Sequence, residues 1–373
     1  MRRPDPDLAK RVLEMAIAIQ QIPAPTFGEA RRAAFVLERF LEEGLSDVSM
    51  DPTGNVYARL PGEVSARSAR SAPPLVVSAH LDTVFPVDTP LNSRREADKI
   101  YGPGIGDNAT GVAGLFGLLW ALQGSHRLPG DVWLIANVGE EGLGNLCGMS
   151  AAVDRFGADV RAYIILEGMA LGQIYHRGLS VRRYEINTCT PGGHAWVDFG
   201  RPSAIHDLAG LITRLCALPV PERPRSSMNV GTISGGTSVN TIAAQATCLL
   251  DLRSESGQVL ARLARQVEAQ IEAGNRQGIR FSWKVVGERP AGGIPSSHPL
   301  VRLAKGCLEA QGVHPQLNIG STDANIPLSR GLPAICVGLT NGGGAHTVEE
   351  YILTRSLELG LAQLLALVQG LVQ

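Results

Sequence analysis

Apolar and polar positions recur along this chain in two rhythms. Near the start, Leu8, Val12, Met15 and Ile19 fall at helical spacing, which predicts amphipathic helices over 6–21 and 29–43. Residues 63–74, EVSARSARSAPP, are small, polar and prolyl, the composition of a loop. A continuous apolar run at 75–79 follows and reads as a buried strand. Further runs at 131–138, 161–167 and 332–339 read the same way. Residues 107–124, DNATGVAGLFGLLWALQG, predict a helix. Val112, Leu115, Phe116, Leu119 and Leu122 make its apolar face, while Gly111, Gly114 and Gly117 make a second, flat face suited to close backbone packing. Buried strands alternating with helices argue for an α/β layer architecture with a mixed, mostly parallel sheet.

A middle block has a different pattern. Residues 180–190 alternate like a strand, and 202–218 predict a helix with Pro202 in its first turn. NVGTISGG (229–236) and NTIAAQATCLLDLR (240–253) read as two strands, 256–274 as a helix and 279–286 as a strand. The order β-α-β-β-α-β is that of the ferredoxin-like unit. The chain is therefore expected to hold a larger domain, 1–177 with 290–373, and a smaller one, 178–289, inserted into it.

Composition narrows the partners. The 373 residues suffice for two domains, and the net charge of −1 offers no basic surface for nucleic acid or an anionic membrane. No run reaches 18 uninterrupted apolar residues, so no transmembrane helix is expected. The first residues, MRRPDPDLAKRVLEMAIAIQQI, lack the compact apolar segment and cleavage site of a signal peptide, and a cytoplasmic location is expected. Six cysteines, at 147, 189, 216, 248, 307 and 336, form no CxxC and mostly lie in apolar runs. They read as buried free thiols. A bound metal would then take oxygen and imidazole ligands.

What ends each apolar run carries the chemistry. His80 follows 75–79, with Asp82 two residues on; Glu140 and Glu141 follow 131–138; Glu167 ends 161–167; His346 lies past 332–339 and a glycine loop; Asp107 opens the helix at 107. In open α/β sheets, ligands bind beyond the carboxyl ends of the strands. Singly, each residue has an ordinary reading: a surface histidine, a helix N-cap, a solvated glutamate pair. Together those readings need several coincidences on one rim. Two divalent metals ~4 Å apart need a bridging carboxylate and about two further ligands each. Asp107 can bridge; His80 and Glu167 could complete one metal, Glu141 and His346 the other. Glu140 remains, and a carboxylate beside the metals but not bound to them suits a general base. Asp82 can accept the second ring N–H of His80. GIGDNA (104–109) matches a loose dinucleotide fingerprint, but the charged READKIYGP precedes it instead of a buried strand. His126, His176, His206, His298 and His314 have no partner pattern and read as surface or structural.

The segments SAHLDTV, YGPGIGDNATGVAG, NVGEEGLGN, ILEG and GGGAHTVEEYI, in that order, resemble the co-catalytic di-zinc hydrolases of the M20 peptidase clan. That clan includes glutamate carboxypeptidases, aminoacylases, acetylornithine deacetylases and tripeptide aminopeptidases. The resemblance implies a zinc-exopeptidase-like catalytic domain with two Zn2+ per chain, or Co2+ or Mn2+ in their place. It implies the same ligand and base assignments, and a cis peptide following Asp107. It implies that the inserted domain is a lid and forms a homodimer. His194, in TPGGHAW, matches a histidine that reaches a neighbouring subunit's active site and stabilises the tetrahedral oxyanion; a turn role in a Gly-rich loop is its ordinary reading. Asn240 and Arg253 match contacts to a substrate carboxylate, which a planar guanidinium suits. Arg253 shares a strand face with Asp251, so an ion pair between them is the alternative. GSTDAN (320–325) resembles a substrate-side loop.

The expected activity is therefore hydrolysis of amide bonds in short peptides from one end, with Glu140 as general base. Glu167, in place of an aspartate, leans towards carboxypeptidase and deacylase branches, while HLDTV, GDNATG and AHTVEEY resemble peptidase T. An N-acyl-amino-acid deacylase is the alternative substrate reading. A binding or assembly protein on a retired hydrolase scaffold is the alternative of another class; Asp82, Glu140 and the full ligand set stand against it.

Overall fold

Four apolar strands, Gly130–Asn137, Ala72–His80, Ala162–Glu167 and Ala334–Gly338, lie parallel and adjacent in that order. The computed structural model describes residues 6–45, 47–62, 72–123 and 130–372. They form two compact units, Met1–Gly178 with Gly292–Gln373, and Leu179–Ala291.

In the first unit, antiparallel neighbours extend the parallel centre on both sides: Val56–Leu60 beside Gly130–Asn137, and Gln173–Gly178 beside Ala334–Gly338. The sheet is thus mixed with a parallel core. Its central strands bury nearly every residue, as strands covered on both faces must. The helix Thr110–Gln123 packs on it, buried almost all round. A Cβ on Gly114 would lie 2.2 Å from Leu339 Cδ1, and one on Gly117 2.7 Å from Val12 Cγ2. The glycine face therefore does admit neighbours at close range. The stretches Ile105–Gln123 and Thr354–Val372 are long and apolar enough to cross a membrane, yet most of the first and half of the second lie buried inside the protein.

Three local expectations are corrected. Of the loop expected over 63–74, residues 63–71 lie outside the described residues, and Ala72–Pro74 already belong to the strand. Pairing is irregular between Ala72 and Leu75, where two prolines have no N–H to donate. The helix expected from 107 begins at Thr110, because Ile105–Ala109 forms a distorted turn of its own. Cys189 and Cys216 are exposed; Cys248, Cys307 and Cys336 are buried, and all six cysteines are free thiols.

The second unit is a four-stranded antiparallel sheet in the order Ser226–Gly235, Gln245–Ser254, Ser180–Cys189, Arg280–Arg289. Helices Ala204–Cys216 and Gly257–Ala273 join the strands in the β-α-β-β-α-β order. Alternate strand residues, among them Tyr184, Ile186, Cys248, Leu250 and Leu252, pack with Leu208, Leu211, Leu215 and Val267 of the helices. Two details differ from expectation. Pro202 stands before the helix, which starts at Ala204. The apolar run over 240–253 is divided: Thr241–Ile242 pairs with Gly193–His194, and only Gln245–Ser254 joins the main sheet.

Candidate metal centre

His80 is the last residue of its strand and is 1% exposed. Its register partner on the neighbouring strand is Asn137. Past Asn137 the chain turns at Gly139, with φ of 68°, and delivers Glu140 and Glu141, both buried. On the other side of the His80 strand, Ala162–Glu167 ends on Glu167. His346 enters from the loop after Gly338 and is 54% exposed.

Asp107 lies between the two histidines. Its Oδ1 is 3.1 Å from His80 Nε2, and its Oδ2 is 3.1 Å from His346 Nε2. Glu167 Oε2 is 3.7 Å from His80 Nε2, and Glu141 Oε1 is 3.2 Å from His346 Nε2. Two donor groups result, His80–Asp107–Glu167 and Asp107–Glu141–His346, sharing Asp107. A third, His80–Glu140–Glu141, places the Glu140 carboxylate beside both. The five expected ligands and Glu140 are thus brought together.

The charges explain what such a cluster would hold. Burial alone would lower the pKa of His80, but the carboxylates of Asp107, Asp82 and Glu167 gathered around the ring outweigh it and keep the pKa well above the usual value. Hydrogen bonds to Asp107 and Glu141 push His346 up to about 10. Burial opposes ionisation of Asp107, yet His346 and His80 hold its pKa below the usual carboxylate range. Burial pushes Glu167 up to about 7. Carboxylates crowded around two imidazoles draw protons when no other cation is near. Two divalent cations would neutralise the same charge, and the oxygen and imidazole donors suit zinc, cobalt or manganese.

A shell of buried polar groups fixes this arrangement. Asp82, fully buried, does more than expected. Its carboxylate accepts the N–H of Glu140 at 2.9 Å and of Glu141 at 2.8 Å, and the Thr26 hydroxyl at 3.0 Å. The His80 ring differs from expectation: Nδ1 lies 3.0 Å from the Asp82 backbone oxygen and 3.5 Å from its carboxylate. The short strand-end turn brings that carbonyl nearer than the side chain. Burial would raise the pKa of Asp82, but His80 and the Glu141 and Glu140 N–H groups hold it below the usual range.

Three further residues have no signal in the sequence reading. Asn108, fully buried, donates to Leu166 O at 2.9 Å and accepts from Gly168 N at 2.9 Å, tying the Asp107 turn to the strand that ends on Glu167. The peptide between Asp107 and Asn108 is cis, as the resemblance implied. Glu350, also fully buried, accepts the N–H groups of Gly106 and Asp107 at 2.7 Å each, and of Gly104 at 3.3 Å. Asn55 accepts the Val138 N–H at 3.0 Å and donates to Gly148 O at 2.9 Å, bracing the loop that carries Glu140. The neighbouring glutamates Glu349 and Glu350 look alike in sequence, and only the fold turns one inward.

Three further expected residues, His194, Asn240 and Arg253, belong to the second unit. His194 is exposed, and its Nδ1 accepts the N–H groups of Trp196 at 3.2 Å and Val197 at 3.3 Å. Asn240 is exposed; its backbone oxygen accepts from Ala195 N at 3.0 Å and its Oδ1 from Ser238 Oγ at 2.9 Å. Arg253 donates through Nε to Asp251 at 2.7 Å, and Asp251 also accepts from Arg183 at 2.9 Å. The ion pair weighed as the alternative for Arg253 is therefore present. In the GSTDAN loop, Asp323 is fully buried and accepts from Asn137 at 2.7 Å. Of the other histidines, His176 is buried against Ile294 O at 2.6 Å, His298 caps the helix Pro299–Glu309, and His206 and His314 are exposed. His126 lies outside the described residues.

Residues 76–370 match the model of peptidase family M20/M25/M40. The chain belongs to this family. Two relatives show the extent of the similarity. A peptidase M20 domain-containing protein of Schizosaccharomyces pombe is 30% identical over 232 residues, 60% of this chain and about half, 52%, of that protein. A Mycobacterium tuberculosis protein named after succinyl-diaminopimelate desuccinylase is 26% identical over 361 residues, 93% of this chain and 94% of that one. Among solved structures, the M20-like fold recurs in aminopeptidase PepT from Bacillus cereus. The TM-score is 0.77 at 21% identity, with 98% of this chain and 99% of that one covered.

Proposed function

We propose that this M20-family protein is a metal-dependent exopeptidase that cleaves amide bonds of short peptides, with two zinc ions at the centre described above. The observation that carries the reading is Asp107, whose two oxygens each stand 3.1 Å from a different histidine. That is the arrangement a bridging carboxylate needs. His80 and Glu167 would hold one ion, Glu141 and His346 the other. Bound there, the two metals would polarise the scissile carbonyl and bring the pKa of a water towards ~7.

The chain's own residues supply the proton transfers. Glu140 is held through its N–H by Asp82, which leaves its carboxylate beside His80 and Glu141. There it accepts a proton from the attacking water and returns it to the leaving amine. His194 accepts two backbone N–H groups at Nδ1, so Nε2 carries the proton in the neutral ring. That N–H is the donor proposed for the oxyanion of a neighbouring subunit's substrate. Trp196, Val197 and Phe199, exposed beside it, support a homodimer formed through the inserted, lid-like unit. Asn240 and Arg253 are the proposed contacts to a substrate carboxylate, with Arg253 oriented by Asp251. The six free thiols suit a reducing cytoplasm.

One observation favours a second reading. The relative named for a desuccinylase aligns over nearly the whole chain, and supports an N-acyl-amino-acid deacylase. The test is a panel of dipeptides, tripeptides and N-acyl amino acids offered to zinc-loaded protein. Faster cleavage of substrates with a free α-amine is expected. Preference for acylated substrates would install the deacylase. Bound metal with no cleavage of any member would favour a retired scaffold.

A further inference from the structure

Phe27 occupies a backbone conformation that its residue type disfavours. The Gly28 N–H donates to Pro25 O at 2.7 Å, closing a turn in which Phe27 is the third residue, with φ of 70°. Turns with positive φ at that position normally take glycine or asparagine, and a bulky side chain there is an outlier. The ring gains nothing from burial in exchange, since Phe27 is 73% exposed. Strain of this kind gathers at sites of function.

The place of the turn says which site. The Thr26 hydroxyl donates to Asp82 at 3.0 Å and reaches Glu141 O at 3.5 Å. Pro25 bridges to Thr83. The buried Glu29 carboxylate, two residues past Phe27, accepts the N–H of Gly139 at 3.1 Å. Two buried carboxylates, Asp82 and Glu29, thus fasten this turn to the loop carrying Glu140 and Glu141. The backbone of Phe27 is pinned to the metal centre while its ring stays in solvent. Leu143, two residues after Glu141, and Val348, two after His346, are also large apolar side chains left exposed.

We propose that Phe27 is a specificity-determining residue: with Leu143 and Val348 it forms an apolar rim beside the metal centre, which receives an apolar substrate side chain next to the scissile bond. The inference rests on the hydrolase reading and names its substrate class, peptides or acyl amino acids bearing a leucine- or phenylalanine-like residue. A pinned backbone suits this task, because the turn that presents the ring has little freedom left to lose on binding. Phe27 is not one of the donor residues, so its replacement leaves the donor set intact.

The test compares two metal-seeking probes, leucine hydroxamate and glycine hydroxamate, bound calorimetrically to zinc-loaded full-length protein and to its Phe27→Ala and Phe27→Gly variants. The wild-type chain is expected to bind the leucine compound at least about tenfold more tightly, the discrimination an apolar subsite typically gives. In both variants that ratio should fall to about threefold or less, with glycine hydroxamate affinity and zinc content unchanged and the Gly variant at least as heat-stable as wild type. An unchanged ratio, or equal weakening of both probes, would overturn the rim while leaving the hydrolase reading standing. Failure of both probes to bind the wild-type protein would overturn both.

Discussion

Asp82 accepts the backbone N–H of Glu140 at 2.9 Å. A carboxylate on one strand end thereby sets where the proposed base stands on the next, and its other oxygen does the same for Glu141. Asp82→Asn keeps the shape but turns an amide N–H2 towards a backbone donor or the Thr26 hydroxyl. Zinc affinity is expected to fall by roughly 10- to 100-fold, the usual cost of losing a ligand's supporting partner. Folding stability should fall by about 1–3 kcal/mol, because a buried donor loses its acceptor. Competitive zinc titration and thermal denaturation of the metal-free protein measure the two effects separately.

Glu140→Gln addresses the chemistry instead. Its backbone N–H still reaches Asp82, and the donor groups His80–Asp107–Glu167 and Asp107–Glu141–His346 are untouched. The variant should retain two zinc ions per chain and lose turnover by about 10²–10⁴-fold, the range for a general base. Metal analysis paired with kcat checks this; full activity, or lost metal, would remove Glu140 from that role.

Two glycines provide a contrast in packing. A Cβ on Gly111 would lie 2.0 Å from Asn108 Oδ1, whereas one on Gly306 meets nothing within 4 Å. Gly306→Ala, in the helix Pro299–Glu309, should stabilise the protein by roughly 0.5–1 kcal/mol through helix propensity. Gly111→Ala should displace the Asn108 side chain, and with it the bonds to Leu166 and Gly168 that steady the Asp107 turn. Its expected signature is both a lower melting temperature and weaker zinc binding. Melting curves with and without zinc separate the two.

These residues also show how far the sequence can be read. His80, Glu141, Glu167 and His346 could be picked out together because each follows an apolar run whose length and composition mark a buried strand, and parallel strands deliver their ends to one rim. The order of elements in the inserted unit was equally readable from alternating and helical spacing. Asn108, Glu350 and Asn55 were not. Their partners are backbone groups, 246 residues away for Glu350 and Gly104, 58 for Asn108 and Leu166, and 83 for Asn55 and Val138. No spacing rule reports such a bond. The start of the helix at Thr110, and not at Asp107, was hidden for a related reason: Ile105–Ala109 is shaped by Asn108 and Glu350, not by local propensity. Phe27 escaped because an exposed aromatic residue carries no pattern until its φ is known.

The proposal that two metal ions would be held around Asp107 is tested most directly by one measurement. Zinc would be titrated into chelator-stripped protein while hydrolysis of the best panel substrate is followed. Turnover should be absent at the start, rise with added metal, and level off at two zinc ions per chain. A plateau at one zinc, or turnover indifferent to the chelator, would contradict a two-metal centre.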